Sequence, residues 1–190
     1  PELDIALTTN AHLLSNSIEQ LKQAGISRIT VSLDAVDVDV YQTMGDTTST
    51  PDLILASIDK TLALGIPVKV NTVVQKGINE HQIIPLISQV ASRNVPIRFI
   101  EYMDVGATNS WNLDHVMTGK EMRTLIEKEF GRIQPIEPDH PSDVAREYSM
   151  KSGSVIGFIE SISNPFCGDC SRARLSANGS IFTCLFATKG

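Results

Sequence analysis

"AGISRITVSL" at residues 24–33 and "LGIPVKVNTV" at residues 64–73 use one device twice. Each places a glycine where an amphipathic run stops and follows it with alternating β-branched residues. Glycine accepts the left-handed backbone that closes a helix, and β-branched side chains fit a pleated strand. Each stretch therefore reads as a helix end, a tight turn and a strand. Upstream of the first, Ile5 to Thr8 is a short strand, and a helical pattern runs through Ile18, Leu21 and Lys22 to Gly25 before the strand Arg28 to Leu33. Upstream of the second, Thr50 is placed to cap a helix with Pro51 at its first position. The apolar spacing Leu53, Leu55, Ile58, Leu62 carries that helix to Gly65, and Val68 to Val74 is strand. A third round predicts a helix over Glu80 to Ser92, with Ile83, Leu86, Ile87 and Val90 on one face, and a strand over Ile97 to Glu101. Strands separated by helices of this length are parallel neighbours, in a barrel or in an open sheet, with chemistry at their carboxyl ends.

After Met103 the pattern changes. A loop with Gly106, Asn109 and Asn112 leads to a helix at Thr118, where Thr118 and Glu121 have capping-box spacing. Short strands near Ile133, over Glu147 to Met150 and over Ser154 to Ile159 read as antiparallel. The expected organisation is a βα-repeated portion over residues 1–110 and a smaller portion over residues 111–190, with a soft boundary near Asp104 to Thr118. Asn178-Gly179, between "RARLSA" and "SIFTC", is a hairpin signal because both residues tolerate positive φ.

The 190 residues carry a net charge of −6. That balance argues against broad binding to nucleic acid, which needs many cations against phosphates, so an anionic partner must meet a local basic patch. No apolar run approaches the roughly 20 residues of a membrane helix, and a membrane partner is not expected. The opening Pro1-Glu2-Leu3-Asp4 has no signal-peptide character, and the chain reads as an excised piece.

All 3 cysteines, Cys167, Cys170 and Cys184, lie in the last stretch of the sequence. Such clustering is the opposite of a dispersed disulfide framework and fits a reducing compartment. The spacing Cys167-x-x-Cys170 lets two thiolates face one ion, and the hairpin would bring Cys184 back as a third corner. A structural zinc site would want a fourth ligand, and His12, His81, His115 and His140 are all remote in sequence. The missing corner favours an iron–sulfur cluster with one iron open to substrate, with zinc as the alternative. A redox dithiol fits less well, because a redox CxxC opens a helix after a strand. Arg172 and Arg174 alternate along the same stretch, so on a strand both guanidinium groups point to one side, as a polyphosphate site would need.

Five stretches then carry a resemblance: "ALTTNA" at Ala6 to Ala11, "VSLDA" at Val31 to Ala35, "KVNTVV" at Lys69 to Val74, "RFIEYMDVG" at Arg98 to Gly106, and "FCGDCSRARLSANGSIFTCLF" at Phe166 to Phe186. In this order they resemble the molybdenum cofactor biosynthesis protein A family, the radical S-adenosylmethionine enzymes that act as GTP 3′,8-cyclases. The resemblance implies an α/β fold, part of an incomplete parallel (βα) barrel followed by a smaller α+β region that binds a second 4Fe-4S cluster. It implies that GTP is cyclised to 3′,8-cyclo-7,8-dihydro-GTP in molybdenum cofactor biosynthesis.

By the same resemblance, Cys167, Cys170 and Cys184 hold the second 4Fe-4S cluster, whose open iron meets guanine. Thr8, Lys69, Arg98, Arg172 and Arg174 bind GTP, and Ser32 and Met103 contact S-adenosylmethionine. Implied partners are a cyclic pyranopterin monophosphate synthase acting on the product and a reductant protein, with a homodimer left open. The setting is cytoplasmic if the source is bacterial and organellar if it is eukaryotic. The family's first cluster is held by CxxxCxxC, a motif this sequence lacks. No catalytic residue is therefore assigned here, and the piece alone is expected to be inactive and poorly soluble. The rival reading is a noncatalytic nucleotide-binding module stabilised by zinc.

Overall fold

The structure, a computed structural model, describes residues 3–104, 111–140, 142–165, 172–185 and 187. The first three rounds follow the sequence. Strand β1 (Ala6–Thr9) leads to α1 (Leu14–Gln23), and β2 (Arg28–Ser32) follows the turn at Gly25, whose φ is +87°. The amide of Ile26 reaches back to the carbonyl of Leu21 across that turn, and Ile66 repeats the bond to Thr61 after Gly65. The doubled stretch is thus one backbone motif built twice: an apolar residue just past the glycine folds back on the helix and sets the entry angle of the next strand.

Helix α3 (Pro51–Ala63) starts with Pro51 as expected, but Thr50 makes no side-chain cap bond. Its buried stripe is Ile54, Leu55, Ile58 and Thr61, whereas Leu53 stays 44% exposed. The expected spacing therefore named one leucine on the wrong side of the helix. A short helix absent from the sequence reading, α2 (Val38–Gly45), is capped by Asp37, whose carboxylate accepts from the amide of Val40. Strand β3 (Val68–Val74) keeps the expected bounds. The third helix opens as a 3-10 turn over Glu80–Gln82 and continues as α4 (Ile83–Ala91), burying Ile83, Leu86, Ile87 and Val90 before β4 (Ile97–Glu101).

Helix α5 (Gly119–Phe130) carries the full capping box of Thr118 and Glu121. Beyond it lie β5 (Gln134–Pro135), β6 (Arg146–Ser149) and β7 (Val155–Ile159). These strands do not form a separate sheet. One seven-stranded sheet runs β1-β2-β3-β4-β7-β6-β5. Strand β7 is antiparallel to β6, as expected, and also pairs with β4 in parallel, Phe99 opposite Phe158. Five parallel strands therefore cross the expected division at residues 110 and 111, and two antiparallel strands finish the sheet. Among the described residues the sheet is open, with β1 and β5 at its edges.

The faces of the sheet differ, because side chains alternate along a strand. In β3, Val68, Val70, Thr72 and Val74 are buried, while Lys69, Asn71 and Val73 are only partly covered. The buried set joins Ile29, Val31, Ile97, Phe99, Ile156 and Phe158 in one core with the inner faces of α1, α3, α4 and α5. Truncating one of its fully buried side chains, such as Ile58, costs about 2–5 kcal/mol in cores of this kind. The helices thus take one face and leave the other for chemistry.

Strands β8 (Arg174–Leu175) and β9 (Ile181–Phe182) form the expected hairpin. Its loop is longer than a two-residue turn: Ser176 and Ser180 close it, and only Gly179 takes positive φ, at +88°. Asn178 instead uses its side-chain oxygen to accept from the amide of Ser180.

Candidate functional site

The face without helices is polar, and strand register lines its residues up. Thr8 lies opposite Thr30, and Thr30 opposite Lys69. One step further along the strands, Ser32 lies opposite Asn71, Asn71 opposite Arg98, Arg98 opposite Gly157, and Gly157 opposite Glu147. Four of the residues singled out in the sequence, Thr8, Ser32, Lys69 and Arg98, therefore share one face. Thr8 is exposed and Ser32 half-buried at the carboxyl end of β2. Met103 is half-buried in the segment that follows β4.

A cleft of about 710 Å³ opens at the far end of this face. Lys69, Arg98 and Arg172 line it together, with Arg146 as a further cation. Arg174 sits in β8 opposite Phe182 and is not among the residues lining the cleft. Cys184 is an exposed free thiol just beyond β9, while Cys167 and Cys170 lie outside the described residues. Among the described residues no three His, Cys, Asp or Glu side chains gather as a metal site. Arg172 donates through Nη1 to the carbonyl of Ser142 at 3.5 Å, which ties the start of the hairpin segment to the loop before β6.

Two residues of this face carried no expectation from sequence. Glu147 accepts from Arg98 Nη2 at 2.6 Å and Nε at 3.2 Å, and its same oxygen is 3.7 Å from Lys69 Nζ. Asn71 sits between Ser32 and Arg98, and its buried side-chain oxygen has no hydrogen-bond partner among the described residues. The alternation of β3 puts Asn71 on the side of Lys69, so that signal was present in "KVNTVV". Glu147 had no such signal, because its neighbour Arg98 is 49 residues away. Gly157 makes their contact possible: a Cβ there would lie 2.9 Å from Arg98 Cγ, closer than packed carbons tolerate.

At the carboxyl ends of β2 and β3 a second polar group holds the loops. Asp34 accepts from the amide of Val73 at 2.8 Å, and Asn79 donates to the carbonyls of Asp34 and Val73. Burial pushes the Asp34 carboxyl above its ordinary range, with the Val73 amide opposing. Tyr41, which hydrogen-bonds His12 Nε2 at 2.9 Å, is also raised, by burial and then by the negative charge of Asp34.

Glu101, fully buried at the end of β4, accepts from the amide of Gly119 through one oxygen and from the amides of Ile162 and Ser163 through the other, each at 2.8 Å. It fastens the start of α5 and the turn after β7 to the end of β4. A buried carboxylate satisfied by backbone donors is a fixed joint.

Residues 95–190 match the Molybdenum Cofactor Synthesis C family. The chain belongs to that family. Residues 1–90 match the Radical SAM superfamily. A relative of the Molybdenum Cofactor Synthesis C chain described here, a GTP 3′,8-cyclase of Staphylococcus carnosus (strain TM300), is 44% identical over 186 residues, covering 97% of this chain and 54% of the relative. A GTP 3′,8-cyclase of Staphylococcus aureus (strain Mu3 / ATCC 700698) is 46% identical over the same shares. The chain spans about half the length of these curated relatives. A solved structure of TYW1 with a lysine-pyruvate adduct bound is similar in fold, with a TM-score of 0.50 at 18% identity, covering 70% of this chain and 43% of that one.

Proposed function

We propose that this chain forms the nucleotide-binding part of a GTP 3′,8-cyclase, which converts GTP to 3′,8-cyclo-7,8-dihydro-GTP by radical S-adenosylmethionine chemistry in molybdenum cofactor biosynthesis. The observation that carries the reading is the convergence of Lys69, Arg98 and Arg172, from β3, β4 and the start of the hairpin segment, on one cleft. Guanidinium groups and an ammonium brought together at a polar sheet face match the charge and geometry of a triphosphate. Relatives named for that activity support the same reading.

In this proposal Lys69, Arg98 and Arg172 bind the triphosphate, while Thr8 and Arg174 make further contacts to the nucleotide. Ser32 and Met103, at the carboxyl ends of β2 and β4, contact S-adenosylmethionine. The thiols of Cys167, Cys170 and Cys184 hold an auxiliary 4Fe-4S cluster. The donor set fits such a group: three thiols are the whole cysteine inventory, and the described one is exposed beside the hairpin. When bound, the iron–sulfur centres supply electrons for S-adenosylmethionine cleavage and an open iron position for the purine. The chain's own residues fix the nucleotide at its phosphates and leave the ribose and base to face the carboxyl ends of the strands. Partners proposed on the same basis are an electron-donating protein and a cyclic pyranopterin monophosphate synthase that takes the product.

The test is anaerobic reconstitution of the full-length protein, followed by metal analysis and GTP titration with and without Arg172→Ala. The expected result is bound iron, GTP binding in the wild type, and GTP affinity at least about tenfold weaker in the variant, the equivalent of about 1.4 kcal/mol, with S-adenosylmethionine binding retained. Tightly held zinc and no response to GTP would favour the noncatalytic zinc-stabilised module instead.

A further inference from the structure

We propose that Glu147 is a built-in counter-ion that a polyphosphate must displace from Lys69 and Arg98, so that it sets how much negative charge a ligand needs to occupy the cleft. This inference rests on the triphosphate reading above and deepens it by naming a specificity-determining residue.

One carboxylate oxygen serves both cations, at 2.6 Å from Arg98 Nη2 and 3.7 Å from Lys69 Nζ. The Nε and Nη2 edge of Arg98 that Glu147 occupies is an edge through which a guanidinium binds phosphate in bidentate fashion. Strand register makes this pairing part of the fold, with Glu147 and Arg98 on either side of Gly157. The side chains involved are each about a quarter to a third exposed, so the pair faces the cleft while being partly shielded from water.

The balance of charge in the cleft gives the pairing its consequence. Lys69, Arg98, Arg146 and Arg172 meet the carboxylates of Glu137, Asp139, Asp143, Glu147 and Glu160 in the lining. As it stands the cleft is not a cationic basin. Glu160 is held by Arg123 at 2.8 Å, and Glu137, Asp139 and Asp143 sit on its exposed rim. Glu147 is the carboxylate seated on Lys69 and Arg98. A ligand with one negative charge would only exchange for it, whereas a triphosphate brings several charges to the same two cations and to Arg172. Electrostatic complementarity then favours the longer phosphate chain.

Glu147→Gln tests the idea with little change of shape, since the amide oxygen still accepts from Arg98 while the negative charge is lost. In the full-length protein, affinity for inorganic tripolyphosphate and for GTP is expected to rise about tenfold, and orthophosphate to become a measurable competitor. Affinity for guanosine, which brings no phosphate, is expected to stay unchanged. Glu147→Asp, too short to span both cations, is expected to shift tripolyphosphate affinity in the same direction and serves if the glutamine variant does not fold. Unchanged or weaker tripolyphosphate binding in a folded variant, beside a wild type that binds it, overturns the inference alone and makes Glu147 an orienting group. A wild type that binds neither tripolyphosphate nor GTP removes the triphosphate reading and this inference together.

Discussion

Asp34 shows how one half-buried group ties the stability of the fold to pH. Its folded-state carboxyl is raised by burial above the ordinary value of 3.8, so the folded protein holds that proton more tightly than the unfolded chain does. The stability this contributes is complete below the ordinary value and is lost as pH rises through the raised one. Asp34→Asn keeps an oxygen to accept from the amide of Val73 and removes the charge. The variant is expected to gain stability relative to wild type as the pH is raised from 3 toward 8 in thermal-melting curves of the full-length protein. A constant difference across that range would show that Asp34 ionises in the folded state without penalty. At this scale the sequence was partly legible. Arg172 stood out beside the cysteines, whereas Lys69 and Arg98 were named only through the family resemblance, since a cation on a strand is by itself an ordinary charge. The counter-charge that Lys69 and Arg98 share, Glu147, was invisible because it depends on a strand pairing that no local pattern encodes.

Helices and strands announced themselves where a local signal was complete. The cap of α5 is the clearest case: Glu121 accepts from the amide and the hydroxyl of Thr118 at 2.7 Å, and these bonds, followed by Lys76, hold its carboxyl below its ordinary value of 4.5. Thr118→Ala is expected to cost about 1 kcal/mol, a fall in melting temperature of roughly 2–4 °C for a chain of this size. Because the Glu121 value is lowered, its contribution is present above the ordinary value and lost as pH falls through the lowered one. Wild type and variant are therefore expected to draw closer in acid without meeting, because the Glu121 amide still donates to the Thr118 hydroxyl at any pH. A difference that is unchanged down to pH 2 would assign the whole effect to that amide bond. Other elements were misjudged where a signal was incomplete. Leu53 matches helical spacing but faces water, since α3 rolls its stripe toward Ile54. The Asn178-Gly179 pair marked the hairpin correctly, yet the loop took a third residue because Asn178 bonds through its side chain.

For the whole molecule, the feature that sequence could not supply is the return of β7 to β4. Between the two strands lie residues 102–154, containing α5 and two short strands, and nothing in their spacing states where the chain comes back. Glu101 supplies the physical answer by gathering Gly119, Ile162 and Ser163 at the end of β4. Glu101→Gln places an amide hydrogen donor among backbone donors, and a loss of about 3 kcal/mol or more is expected. The melting temperature would fall by roughly 6–12 °C, and hydrogen exchange at Gly119, Ile162 and Ser163 would accelerate together. Faster exchange at only one of these amides would mean that the joint is not shared.

The order of strands also bears on how the chain is made. A nascent polypeptide leaves the ribosome from its amino end, so β4 emerges with a bare hydrogen-bonding margin that stays unmatched until about fifty further residues have been synthesised. During that interval the half-built sheet offers a template to any passing strand, and a pause in translation before Val155 would lengthen the exposure.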